Sequence, residues 1–195
     1  MAAYKLVTPP ATEPLLLADV KLFLRVDSTI EDSIITNLII VARQYVENYL
    51  NGSLITQTWD YYLNYDEIGV QIFSLSKNPI QSITDIKYFD INNTLQTLPV
   101  SSYDADIVGE PATIKITALP AIYNKLNTMV IRFVAGYGNA ASVPMAIKQA
   151  MLMLIGHWYE HREAVSFVTS SSVEIAVESL LYPYKIFTYQ YNPLN

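Results

Sequence analysis

Hydrophobic periodicity changes once and then changes back along this chain, and that constrains the fold more than any single motif. After Ser28, residues Ile34, Ile35, Leu38, Ile39, Ala42, Tyr45, Val46, Tyr49 and Leu50 recur at helical spacing. Ser28 with Glu31 three residues later reads as a capping box, and acidic Glu31 and Asp32 suit a helix N-terminus. Asn51-Gly52 supplies the stop. The spacing predicts a helix over residues 29–50, roughly 30 Å long. Beyond it the period falls to two: Trp59, Tyr61, Leu63 and Tyr65 alternate with Thr58, Asp60, Tyr62 and Asn64. Strand-type residues continue to Ala135, separated by turn signals at Asn78-Pro79, Asn92-Asn93, Gly109-Glu110-Pro111 and Leu119-Pro120.

Helical spacing then resumes. Gly136-Tyr137-Gly138 closes the β region and Pro144 suits a first helical turn. The helix predicted over 144–162 is apolar on nearly every side and requires cover on more than one face, some of it from another subunit. Shorter helices are expected at 16–26 and 173–182, the first after an extended arm marked by Pro9, Pro10 and Pro14, the second after a polar loop at 169–172. The predicted fold class is α+β: a helical bundle core with an inserted small antiparallel β region. Its parts are an N-terminal arm with core helices (1–53), the β insertion (54–135), further core helices (136–182) and an aromatic C-terminal tail (183–195).

Composition excludes several function classes. With 51 % apolar and 15 % charged residues in 195, the chain can bury a large core. The net charge of −6 is spread along the chain without any Lys/Arg cluster, so nothing predicts tight phosphate binding, and an acidic surface repels passing DNA. Absence of cysteine excludes disulfides and thiol chemistry. Residues 1–10 lack a signal-peptide apolar core and the longest apolar run, 150–155, is too short to span a bilayer, so a soluble chain with no membrane role is expected. The 15 tyrosines suit half-buried sheet faces and interfaces.

One motif points to chemistry. His157-x-x-Glu160-His161 matches the inverzincin zinc signature, with Glu160 as the base acting on a metal-bound water. A third ligand would have to be Glu163, Glu174 or Glu178. The bland reading is an interior-like helix whose histidines flank an apolar stripe, and it is the favoured one, because no cleft, oxyanion donor or orienting carboxylate can be assigned. Asp104 and Asp106 sit in loop-like sequence without the further oxygen ligands that calcium requires.

In order, the motifs are Leu-Arg-Val-Asp at 24–27, the Glu31-Asp32 helix start with Ala42-Arg43 inside it, Gly-Tyr-Gly at 136–138, Val143-Pro144, and Trp-Tyr-Glu-x-Arg-Glu at 158–163. This succession resembles the tailed-phage head–tail connector (adaptor) family that includes the head completion proteins. His161 occupies the variable position of the last motif, which makes the zinc match accidental. Asp90-Ile91-Asn92-Asn93 departs from the pattern by lacking a glycine at that turn.

The resemblance implies a structural virion protein and no enzyme: a ring between portal and tail, a dodecamer, that extends the DNA channel and needs no cofactor or metal. Its expected partners are further copies of itself, the portal protein, and a tail or stopper protein, with DNA passing through the lumen without specific binding. The alternatives are a zinc metallopeptidase, or another tail-side ring such as a stopper or tail-completion protein. Expected contacts to a neighbouring subunit or the portal are Arg25, Arg43, Trp158, Arg162, Glu163, Tyr184, Phe187, Tyr189 and Tyr191, with residues 173–195 docking on the portal or an adjacent subunit.

Overall fold

Two periods of hydrophobicity produce two kinds of layer, each with its own core. The computed structural model describes residues 3–70, 72–161 and 170–187. In chain order the elements are β1 (Ala3–Thr8), α1 (Leu17–Leu24), α2 (Asp32–Leu50), β2 (Gln57–Leu63), β3 (Ile72–Leu75), β4 (Ile80–Phe89), β5 (Leu95–Thr97), β6 (Tyr103–Asp106), β7 (Ala112–Ile116), β8 (Met129–Ala135), α3 (Met145–Glu160) and α4 (Ser170–Leu181). The chain divides into a sheet unit, the residues up to Pro10 plus Thr56–Gly136, and a helical unit, Ala11–Ile55 plus Tyr137–Lys185. No helix of the described residues is long and apolar enough to cross a membrane.

This corrects the expected fold class. The β region is not a small insertion on a helical bundle: eight strands in two antiparallel sheets, against four helices, make a sheet-rich α+β fold among the described residues. One sheet runs β1-β2-β8-β4-β5 and the other β3-β7-β6. Alternation along β8 explains why they share a core: Met129, Ile131, Phe133 and Ala135 are fully buried, while Val130, Arg132 and Val134 take the other face. Leu63, Ile86, Phe73, Leu75, Ile114 and Ile116 complete that core. The segment before Pro9, expected to be an arm, is the edge strand β1, with Tyr4 stacked on Tyr61 at 4.6 Å and its hydroxyl accepting from the Ser76 N–H. Asp104 and Asp106, expected in a loop, lie on β6 opposite Lys115 and Thr113.

Turn chemistry resolves the missing glycine. Asn93 takes the left-handed conformation, φ 58°, that a glycine would supply, and asparagine tolerates it. Asp90 accepts from the Asn92 and Thr94 N–H groups and from the Gln96 amide. Those bonds, from Thr94 first, then Gln96 and Asn92, hold the Asp90 carboxyl below its ordinary value of 3.8. A carboxyl lowered by folding stabilises the hairpin fully above that ordinary value and loses its contribution as pH falls through the lower folded value. Asn93→Ala is expected to cost about 1 kcal/mol, measured by urea denaturation, with Asn93→Gly close to neutral.

In the helical unit α2 buries Ile35, Ile39, Ala42, Val46 and Leu50 against Ile147, Met151, Leu154 and Ile155 of α3, and Val20, Val177 and Leu181 join them from α1 and α4. The stop comes from Asn51 itself, at φ 55°, with the Gly52 N–H bonded to the Glu47 carbonyl. The expected capping box does not form: Ser28 Oγ accepts from Ile30 N–H instead, and the Glu31 carboxylate receives the Tyr159 hydroxyl from α3. At Gly156 α1 comes close, because a Cβ there would lie 3.2 Å from Cε1 of Phe23. Gly156→Leu is therefore expected to destabilise by about 1–3 kcal/mol, read as a lowered thermal midpoint.

Candidate functional site

The expected contact residues fall into three groups. Arg43 is not a surface group. It is 8 % exposed, its Nε donates to Glu13 at 2.8 Å and its Nη1 to Glu47 at 2.8 Å. Glu47, equally buried, also accepts the Leu54 N–H at 2.9 Å. Burial alone would pull the Arg43 pKa down, and the hydrogen bonds and charges of the two carboxylates more than reverse it. The network ties the segment before α1 to α2 and to the chain leaving α2.

Arg25, Trp158, Tyr184 and Phe187 lie at or near the surface. Arg25 is exposed in the left-handed conformation that ends α1, and no ion pair reaches it among the described residues. Trp158 is half-buried with its ring edge-on to Tyr45, centroids 5.9 Å apart. Tyr184 packs partly buried on the helical core, next to Lys185, whose ammonium lies 4.2 Å from the Tyr49 ring centroid. Phe187 is exposed. The third group, Arg162, Glu163, Tyr189 and Tyr191, lies outside the described residues.

Periodicity did not expose a second stripe on α2. Ile34, Leu38, Val41 and Tyr45 follow one another at spacings of four, three and four, and three of them are exposed: Ile34 at 43 %, Val41 at 48 % and Tyr45 at 40 %. They lie within about 60° of one another at 100° per residue and span roughly 17 Å. The only charged residues on α2 are Asp32, bonded to Lys21 at 2.6 Å, and the buried Arg43 and Glu47. Its solvent face is therefore uncharged. At α1, Leu16, Leu22 and Phe23 are each exposed, Leu22 at 81 %, and the exposed Asp19 stands among them.

The other face of the larger sheet carries a row of charged side chains, Asp60 among them buried. Lys5, Asp60, Arg132 and Asp85 stand opposite one another across β1, β2, β8 and β4, giving alternating charge. Arg132 grips Asp60 with both Nε and Nη2 at 2.7 and 2.8 Å, which raises the Arg132 pKa. Lys87 adds a pair with Asp85 at 3.5 Å. The four-residue row carries two charges of each sign, and Lys87 brings the face to three cations against two carboxylates.

Local geometry gives the peptidase reading no support among the described residues. The helix ends at Glu160, and His161 leaves it at φ −109°, ψ 74°. Its Nδ1 lies 3.1 Å from the His157 carbonyl oxygen and its ring lies against that of His157, centroids 4.7 Å apart. No group of three His, Asp or Glu side chains among the described residues is placed to hold a metal ion.

What decides between the remaining readings is the match of the family model for "Head completion protein" to residues 15–187. The chain belongs to the head completion protein family. It is thus a structural protein of the virion, a head–tail adaptor at the head–tail junction, as the succession of motifs implied. Solved structures carry the same fold. A chain from the neck of an empty gene transfer agent (GTA) particle computed with C6 symmetry is 18 % identical, with a TM-score of 0.79 over 96 % of this chain and 97 % of that one. A chain from the virion of the native gene transfer agent particle is 20 % identical, with a TM-score of 0.73 over 96 % and 97 %. A third, from the neck of the native particle computed with C12 symmetry, is 18 % identical, with a TM-score of 0.71 over 95 % and 97 %. Among curated proteins no relative matches.

Proposed function

We propose that this head completion protein closes into a twelve-membered ring that stacks on the portal, extends the DNA channel and presents a surface to the tail or to a stopper ring. The observation that carries this reading is the near full-length likeness to subunits of particle necks computed with C6 and C12 symmetry. Its work is positional: it binds no cofactor and catalyses nothing. The acidic balance of −6 suits a channel wall along which DNA slides without adhering. The C-terminal stretch 173–195, with Tyr184, Phe187, Tyr189 and Tyr191, docks on the portal or an adjacent subunit, together with Trp158, Arg25, Arg162 and Glu163 at subunit contacts.

The test is assembly in a host carrying the phage with this gene disrupted. DNA-filled heads and finished tails should accumulate unjoined, and supplying the intact chain should join them. Complete, infectious particles without the chain would contradict the proposal. Truncation after Leu181, which keeps α4 in the core, addresses the docking segment separately: it should abolish portal binding, and retained binding would remove 182–195 from the interface.

A further inference from the structure

In the sheet unit, the 3-10 helix Tyr65–Val70 and the segment 119–122 enclose a cavity of about 360 Å³. Ile68, Leu119, Pro120 and Ile122 make its walls apolar, and Asp66 is the one charged residue of the lining. Glu67, next along, accepts from the Asn64 N–H at 2.9 Å. No hydrogen bond or ion pair reaches the Asp66 carboxylate among the described residues. An apolar pocket with a single carboxylate fits a side chain that has an apolar stem and a cationic head. Arginines that fill such pockets are among the residues that dominate protein–protein contacts.

The helical unit carries one such group. Arg43 and Arg132 are already in ion pairs, whereas Arg25 is exposed and has none. Lys5 and Lys115 stand directly opposite Asp60 and Asp104 on paired strands, and Lys148 is half-buried. Arg25 ends α1 at φ 57°, where glycine is the unstrained residue. Holding an arginine there costs about 1 kcal/mol, and no hydrogen bond or ion pair of its side chain offsets it among the described residues. Neither Asp19 nor Asp27, its nearest carboxylates in sequence, pairs with it. Leu22, one turn earlier, adds exposed apolar surface.

A closed ring joins each copy to the next through two different surfaces. Resting on the ring reading above, we propose that Arg25 of one copy enters this cavity of the next copy and pairs there with Asp66, with Leu22 covering the apolar wall. The helical unit of each subunit then meets the sheet unit of its neighbour, and the contact repeats around the ring.

The test exchanges the charges. Arg25→Glu and Asp66→Arg are made in separate chains and analysed by native mass spectrometry, with and without the cognate portal ring, with circular dichroism as the check on folding. Either variant by itself sets like charges together at every contact, so each contact should weaken about tenfold or more and the ring should be lost. Mixed in equal amounts, the two should alternate and close the ring again, because every contact then joins opposite charges. A pair within one chain would be broken in both variants and would stay broken in the mixture. Rings of unchanged stoichiometry from either variant alone would overturn the proposal, and so would a mixture of folded variants that stays monomeric. Arg25→Gln and Asp66→Asn introduce no repulsion. Combined in one chain they should weaken the ring no more than either does alone, and losses that multiply would also overturn the assignment. If the intact chain forms no ring even on the portal, the ring reading fails and this contact with it.

Discussion

Arg43→Ala should be the most damaging single substitution in the helical unit, lowering its stability by about 3–5 kcal/mol. The cost comes less from the lost attraction than from what is left behind. Glu47, with an 11 % exposed side chain, would lose the Arg43 guanidinium from its buried carboxylate, while the Leu54 N–H would still donate to it. Glu13, more exposed at 27 %, can turn toward water and contributes less to the loss. The chain has two tryptophans, Trp59 in the sheet unit and Trp158 in the helical unit. Urea unfolding followed by Trp158 fluorescence in a Trp59→Phe background therefore reads this unit directly. A loss under about 1 kcal/mol, the scale of an exposed ion pair, would mean that water reaches Glu47.

The second large effect is expected in the sheet. Phe133→Ala should cost about 3–5 kcal/mol, because the ring is fully buried at the centre of β8 and meets Tyr4 edge-on at 6.3 Å. Fluorescence of Trp59 in a Trp158→Phe background reports it. Trp59 sits directly opposite Phe133 on the neighbouring strand. A small effect would mean that the core closes over the space the ring leaves.

Local chemistry made much of this fold legible. A sustained helical period found α2, Asn51-Gly52 ended it within a residue, and Pro144 marked the start of α3. Gly136 and Gly138, both at positive φ, account for the turn read between sheet and helix. What escaped depends on distant partners. β1 became a strand only because β2, some fifty residues later, offers it an edge, and nothing between residues 3 and 8 announces that. β6 looked like a loop because its aspartates disfavour strands and only pairing with β7 overrides them. The proportions failed for the same reason: short runs of alternating residues look like an insertion until they are seen to form two sheets around one core.

The candidate surfaces show a further limit. On α2 two apolar stripes lie side by side at the same helical spacing, and which one faces solvent is set by where α3 packs. The zinc match found no third ligand among the described residues, which spacing along a sequence cannot tell. The family was legible because it rests on several short motifs in fixed order, each modest alone.

The most direct measurement of the central claim is co-sedimentation of the purified chain with its cognate portal ring, with imaging of the complex. The account predicts a stoichiometric ring stacked coaxially on the portal and continuous with its channel. A chain that leaves the portal bare and joins only a ring on the tail side would contradict it.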